Sequence, residues 1–163
     1  MSSRQWVVNA SPIILLGDIG HLYLLEALCD PLVVPAEVAR EVQNGPIEDA
    51  AQRWLQADGR IHIHEGRPLD PQVASWDLGS GESAVLTWAR AYPGYEAILD
   101  DRAARKCAEA LGIPVRGTLG VLLAAKRHGL IPQVQPALDA LVQAGLRLSP
   151  EVAEAALRLA EEA

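Results

Sequence analysis

Two adjacent carboxylates, Asp100 and Asp101, end the apolar run Ala97-Ile98-Leu99, and a helical pattern from Ala103 to Leu111 follows at once. Open parallel α/β sheets bind their ligands just beyond the carboxyl ends of their strands, so acids there can do chemistry. A simpler use is also open: Asp100 as the cap of the next helix and Asp101 in its first turn, where the helix dipole favours an anion. Asn9 ends a second apolar run, Trp6-Val7-Val8, and in a parallel sheet it must fall on the same edge as Asp101. Glu41 and Glu82 lie in helical segments that can reach that edge, Glu82 in a first turn. Three carboxylates and an amide oxygen make a hard-oxygen donor set suited to Mg2+ or Mn2+. Such ions hold a phosphodiester and activate water for in-line attack. Spacing alone equally allows these acids to be solvated helix faces.

The elements that must position these groups follow from the chain's punctuation. Strands are expected at Trp6–Asn9, Pro31–Pro35, Ile61–His64, the run ending at Leu99, and the segment beginning at Ile113. Ser11-Pro12 opens a helix, with Ser as N-cap and Pro at the first helical position. Further helices are expected at His21–Leu28, Ala36–Gln43, Ile47–Gln56, from Gly79-Ser80-Gly81-Glu82 onward, and after Gly117 to about Lys126. Two more close the chain, Pro132–Ala144 and Pro150–Glu162, the second capped by Ser149. Residues 67–78 carry two prolines and little periodicity. Strands alternating with helices imply a mainly parallel sheet covered on both faces.

With 163 residues, the chain is most simply one domain with a core of its own. No apolar run is long enough to span a membrane, and the opening Met1-Ser2-Ser3-Arg4-Gln5-Trp6 passes directly into a strand without signal-peptide architecture. Cys29 and Cys107 are too few for a disulfide framework, which points to reduced thiols and a cytoplasmic protein. A net charge of −7 excludes a global basic footprint, so any nucleic-acid contact must be local or assisted by metal. His62 and His64 share a strand face at metal-compatible spacing, but no third ligand accompanies them. Gly79-Ser80-Gly81-Glu82 lacks the Lys-Ser/Thr ending of a phosphate loop.

Taken together, several stretches resemble a PIN domain. Val8-Asn9-Ala10-Ser11-Pro12-Ile13 and Val34-Pro35-Ala36-Glu37-Val38-Ala39-Arg40-Glu41-Val42 are similar to its opening. Leu78-Gly79-Ser80-Gly81-Glu82-Ser83-Ala84 and Ile98-Leu99-Asp100-Asp101-Arg102-Ala103-Ala104-Arg105 continue the likeness. Gly117-Thr118-Leu119-Gly120-Val121-Leu122, with Ala125-Lys126, resembles a VapC-like, predicted nucleic-acid-binding subgroup. The likeness covers about residues 6 to 130. It implies a three-layer α/β/α sandwich with a mainly parallel central sheet; the chain as a whole, 1–163, is then expected to be one PIN-like domain, with 132–163 read from its own helical pattern as an extension packed on it. It also implies a ribonuclease using Mg2+ or Mn2+, as in the toxin of a toxin–antitoxin pair. RNA, a small antitoxin protein and a second copy of the chain are the implied partners, with no membrane.

Carried over by position, the family's acidic quartet falls on Asn9, Glu41, Glu82 and Asp101. Glu41, Glu82 and Asp101 are then the catalytic acids, with Asn9 and the adjacent Asp100 as further metal ligands. Ser11, Arg102, Arg105, Arg116, Thr118 and Lys126 are the candidate nucleic-acid contacts, the four basic residues being equally open to a reading as solvated helix faces and helix ends. Family members with demonstrated nuclease chemistry usually carry Asp where this chain has Asn9, which removes one negative charge from the site. The alternative expectation is therefore a catalytically weak or inactive PIN-fold module that binds nucleic acid or protein.

Overall fold

Strands covered on both faces must be apolar throughout, and Trp6, Val7 and Val8 are each 0 % exposed. They belong to β1 (Gln5–Val8), the central strand of a computed structural model that describes residues 4–162. Met1, Ser2 and Ser3, which carry part of the expectation of a leaderless start, lie outside the described residues, as does Ala163. The other strands are β2 (Leu32–Pro35), β3 (Ile63–His64), β4 (Tyr95–Ile98) and β5 (Val115–Arg116). All pair in parallel, in the order β3-β2-β1-β4-β5. From β1 the chain winds outward through β2 to β3, and from β4 it winds the other way to β5. The order therefore reverses between β1 and β4, where a crevice opens beyond the strand ends. Register puts Val8 beside Ile98, and the Asn9 N–H donates to the Ile98 carbonyl at 3.1 Å.

Helices α1 (Ala10–Asp18), α2 (Tyr23–Leu28), α3 (Ala36–Gln43), α4 (Ala50–Gln56) and α5 (Pro71–Ala74) precede β4. So does α6 (Ser80–Ala91), which lies against β1, β2 and β4 with α5 and α7 (Arg102–Ala110) beside it. Helix α8 (Thr118–Arg127) packs with α1 and α2, and α9 (Gln135–Ala144) joins α1 and α8. Helix α10 (Pro150–Leu159) packs on α8. The result is an α/β sandwich around a parallel sheet. No helix among the described residues is long and apolar enough to cross a membrane.

Several ends differ from the sequence reading, each for a local reason. Ser11 does not cap α1: Asn9 holds the cap position with extended backbone (φ −84°, ψ 169°), so β1 passes into the helix without a loop. Helix α4 starts at Ala50 rather than Ile47, because the Asp49 carboxylate accepts from the Gln52 N–H at 2.9 Å and Ile47 is left 75 % exposed. The strand expected at Ile61–His64 shrinks to two residues after a 3-10 turn, Asp58–His62. Within it His62 stacks on Trp54 and meets Glu26 at 2.9 Å, whereas His64 packs on the Trp88 ring. The two histidines thus face different neighbours. The unreadable residues 67–78 hold α5, capped by Asp70, which also pairs with Arg90 at 3.0 Å.

The final helix stops at Leu159, short of the expected Glu162, because Glu162 is used as a latch. Its carboxylate accepts from Lys126 and from the Val134 and Gln135 N–H groups, orphan donors at the start of α9. Lys126 also donates to the Ala160 carbonyl. These bonds, the one to Lys126 foremost, hold the Glu162 carboxyl down to about 2 from an ordinary 4.5. A carboxylate depressed on folding stabilises the fold fully above its unfolded value, and that contribution fades as pH falls through its folded value. We expect Glu162→Gln to lower the melting temperature near neutral pH. The gap to wild type should close between pH 4.5 and 2, as followed by circular dichroism.

Candidate functional site

Asn9 stands at the reversal point of the sheet. It sits at a helix N-cap but makes no side-chain cap bond. Its side chain is buried, 3 % exposed, and Oδ1 has no hydrogen-bond partner among the described residues. A buried acceptor left unsatisfied costs about 1–3 kcal/mol, so this oxygen is available to a donor or cation that the described residues do not supply. Helix α3 brings Glu41 to the same place by packing on α6. Gly81, in the first turn of α6, makes the approach possible: a Cβ there would lie 2.9 Å from Glu41 Oε1 and 3.1 Å from Asn9 Oδ1. Gly79 does the same for Glu82, whose Oε2 would lie 2.9 Å from an added Cβ. The two glycines of the Gly79-Ser80-Gly81-Glu82 stretch thus clear room for carboxylates rather than cradle a phosphate.

The acid pair after β4 divides its work. Asp101, not Asp100, caps α7: its Oδ2 accepts from the Ala104 N–H at 2.9 Å, and Oδ1 has no hydrogen bond among the described residues. Asp100 turns to α8, where Oδ1 accepts from the Thr118 N–H at 2.8 Å and Oδ2 from its hydroxyl at 2.6 Å. Asp100 therefore fixes the start of α8 against the end of β4.

Asn9, Ser11, Glu41, Glu82, Asp100 and Asp101 line one cavity of about 370 Å3. Ala144, Gly145, Leu146 and Arg147 complete its walls. Sequence reading did not single out Arg147, which lies beyond the stretches that carry the family likeness. A local signal was present in Gly145, whose φ of +118° ends α9 and turns the chain so that Arg147 reaches the cavity. Arg147 is exposed, and the chain supplies it neither a hydrogen bond nor an ion pair among the described residues.

The cavity carries unbalanced negative charge. Burial first, and the Glu82 charge second, push the Glu41 pKa above its ordinary 4.5. Among the described residues no three His, Cys, Asp or Glu side chains are grouped to hold one metal ion. Mg2+ does not require such a cage, because it keeps several waters and takes one or two carboxylates. An all-oxygen donor set around the orphaned Asn9 Oδ1 fits a hydrated hard dication of this kind.

The basic residues expected at nucleic acid are spread more widely. Arg102 is exposed in the first turn of α7, beside the cavity wall. Arg105 donates to the Leu99 carbonyl at 3.0 Å, and Arg116 pairs with Glu96 at 2.9 Å above the Trp6 ring. Both line a groove next to the cavity. Thr118 is fully buried, spent on Asp100, and Lys126 is spent on the Glu162 latch. These last two have partners within the fold and line neither the cavity nor, in the case of Thr118, any exposed surface.

A family model described as DUF3368, PIN domain, matches residues 5–162. No curated protein matches the chain.

The raised Glu41 pKa has a consequence for stability. An acid whose pKa rises on folding destabilises the fold once ionised, and that penalty disappears as pH falls below its unfolded 4.5. Glu41→Gln should therefore raise the metal-free melting temperature near neutral pH. The gain should shrink towards zero as pH approaches 4.5, a trend that thermal melts in EDTA would record.

Proposed function

Because the chain belongs to the PIN-domain family, a group of nuclease-type domains, we propose that it is a divalent-metal-dependent ribonuclease. It acts as one PIN-like domain in the cytoplasm, with 132–163 as a helical extension. The same likeness extends the proposal to a toxin role, with a small antitoxin partner and a homodimer. The observation that carries the reading is the buried, unpartnered Asn9 Oδ1, set within reach of Glu41 at the sheet's reversal point.

In this reading Asn9, Glu41 and Glu82 would hold Mg2+ or Mn2+, with Asp101 and Asp100 on the same cavity. A bound ion of this kind polarises the phosphodiester and lowers the pKa of its water. Asp101 keeps one oxygen tied to the Ala104 N–H, which fixes the orientation of the other and lets it accept a hydrogen bond from the attacking water. Asp100 holds the ends of β4 and α8 together, so the cavity keeps its shape. Ser11, Arg102 and Arg105 lie where RNA backbone would pass. A second reading, a binding module without cleavage, draws on Asn9, which gives the site one charge fewer than the family's usual Asp.

The test is incubation of purified protein with mixed single-stranded RNAs in Mn2+, Mg2+ or EDTA. Cleavage is expected with either ion and not in EDTA. Asn caps helices as well as Asp does, so Asp101→Asn should keep the melting temperature while lowering the cleavage rate about 100-fold. RNA binding without cleavage in every metal would install the binding-module reading. Unfolding of Asp101→Asn would reduce that acid to a cap.

A further inference from the structure

Next to the acidic cavity lies a groove of about 470 Å3 between β5, α8 and the segment leading into α10. Asp100, Leu146 and Arg147 line both spaces, so the two are continuous. The groove is walled by aliphatic side chains, among them Val115, Leu119 and Leu123, and Val152 at its rim is 49 % exposed. Its acids are already engaged: Glu96 accepts from both Trp6 Nε1 and Arg116 Nε at 2.9 Å, and Asp100 from Thr118. Its cations are Arg105, Arg116 and Arg147, and Arg147 is the one with no partner among the described residues. Three guanidinium groups facing two engaged carboxylates make this a locally basic channel on a chain of net charge −7.

Aliphatic walls suit a base face and a ribose, and an unpaired guanidinium suits a phosphate. The volume falls in the range of small-molecule sites. A protein segment would also tolerate aliphatic walls, but a basic channel leading into an acidic cavity favours a polyanion that crosses between them. We propose that the groove is a nucleotide subsite for single-stranded RNA. The base and ribose beside the cleaved phosphodiester rest on Val115, Leu119 and Val152, and Arg147 at the junction binds the linking phosphate. The proposal rests on the nuclease reading above.

The experiment is fluorescence anisotropy of a short fluorescein-labelled oligouridylate, titrated with the full chain in Mg2+ over a series of salt concentrations. Asp101→Asn serves as the slow-cleaving background, in which binding is read before the RNA is cut. Arg147→Ala should weaken binding about tenfold and reduce the slope of log affinity against log salt by about 0.7, the value of one phosphate contact on a single strand. Arg147→Lys should restore that slope. Val152→Trp, which fills the groove, should weaken binding about tenfold with the slope unchanged. The metal-free melting temperature should be the same in all of these variants, which separates a lost contact from a disturbed fold. If the oligouridylate binds and Arg147→Ala leaves both affinity and slope unchanged, the subsite is overturned while the nuclease reading stands. Affinity unchanged by Val152→Trp assigns the aliphatic wall to a protein partner and likewise overturns the subsite. An oligouridylate that fails to bind the background protein, with intact RNA after incubation of wild type in Mn2+, overturns the nuclease reading and the subsite with it.

Discussion

Parallel strands end on a common edge, and this one constraint gathers like charges that would otherwise stay apart. The edge is most open between β1 and β4, where the strand order reverses. Asn9 and Asp101 arrive there directly from the strands, and α3 and α6 add Glu41 and Glu82. The buried Asn9 Oδ1 has no hydrogen-bond partner among the described residues, and burial together with the Glu82 charge raises the Glu41 pKa. The metal-free fold therefore carries both an unmet acceptor and unrelieved repulsion, and one bound dication would remove both. Gly79 and Gly81 serve this arrangement by leaving out the side chains that would displace the acids.

The C-terminal helices do two jobs with one piece of structure. Their apolar faces close the core, with Leu138 and Leu141 buried. Their connection brings Arg147 to the rim of an otherwise acidic cavity. The Lys126–Glu162 latch fastens the residues after α10 to α8 and to the start of α9. An acidic chain can meet RNA only where cations are concentrated, because phosphate contacts dominate affinity. Arg105, Arg116 and Arg147 line the groove next to the acidic cavity, and Arg102 is exposed at the start of α7.

Much of this was legible in the residues alone. The apolar runs at Trp6–Val8 and Ala97–Leu99 placed the two central strands, and the polar residue at each end marked the edge. What stayed hidden was decided by distant packing or by a single competing bond. Which acid of the Asp100-Asp101 pair caps α7 depends on the backbone placement of Ala104 and on Thr118, which is far along the chain. The strand expected at Ile61–His64 gave way because Trp54 and Glu26 draw His62 out of line. Lys126 looks like a free surface cation in the sequence, yet a glutamate at the far end of the chain claims it. Arg147 has no local pattern beyond Gly145, because only the packing of α9 on α1 and α8 carries it to the cavity.

A hard dication held at the reversal point of the sheet against Asn9 Oδ1 would account for the site as a whole. Anomalous diffraction from crystals grown in Mn2+ tests it without any appeal to activity. A manganese peak is expected in the cavity at ligand distance, roughly 2.0–2.2 Å as for small hard cations, from Asn9 Oδ1 and from a Glu41 or Glu82 oxygen. A cavity without a peak in Mn2+-saturated crystals, or a peak bound only by other residues, would contradict it.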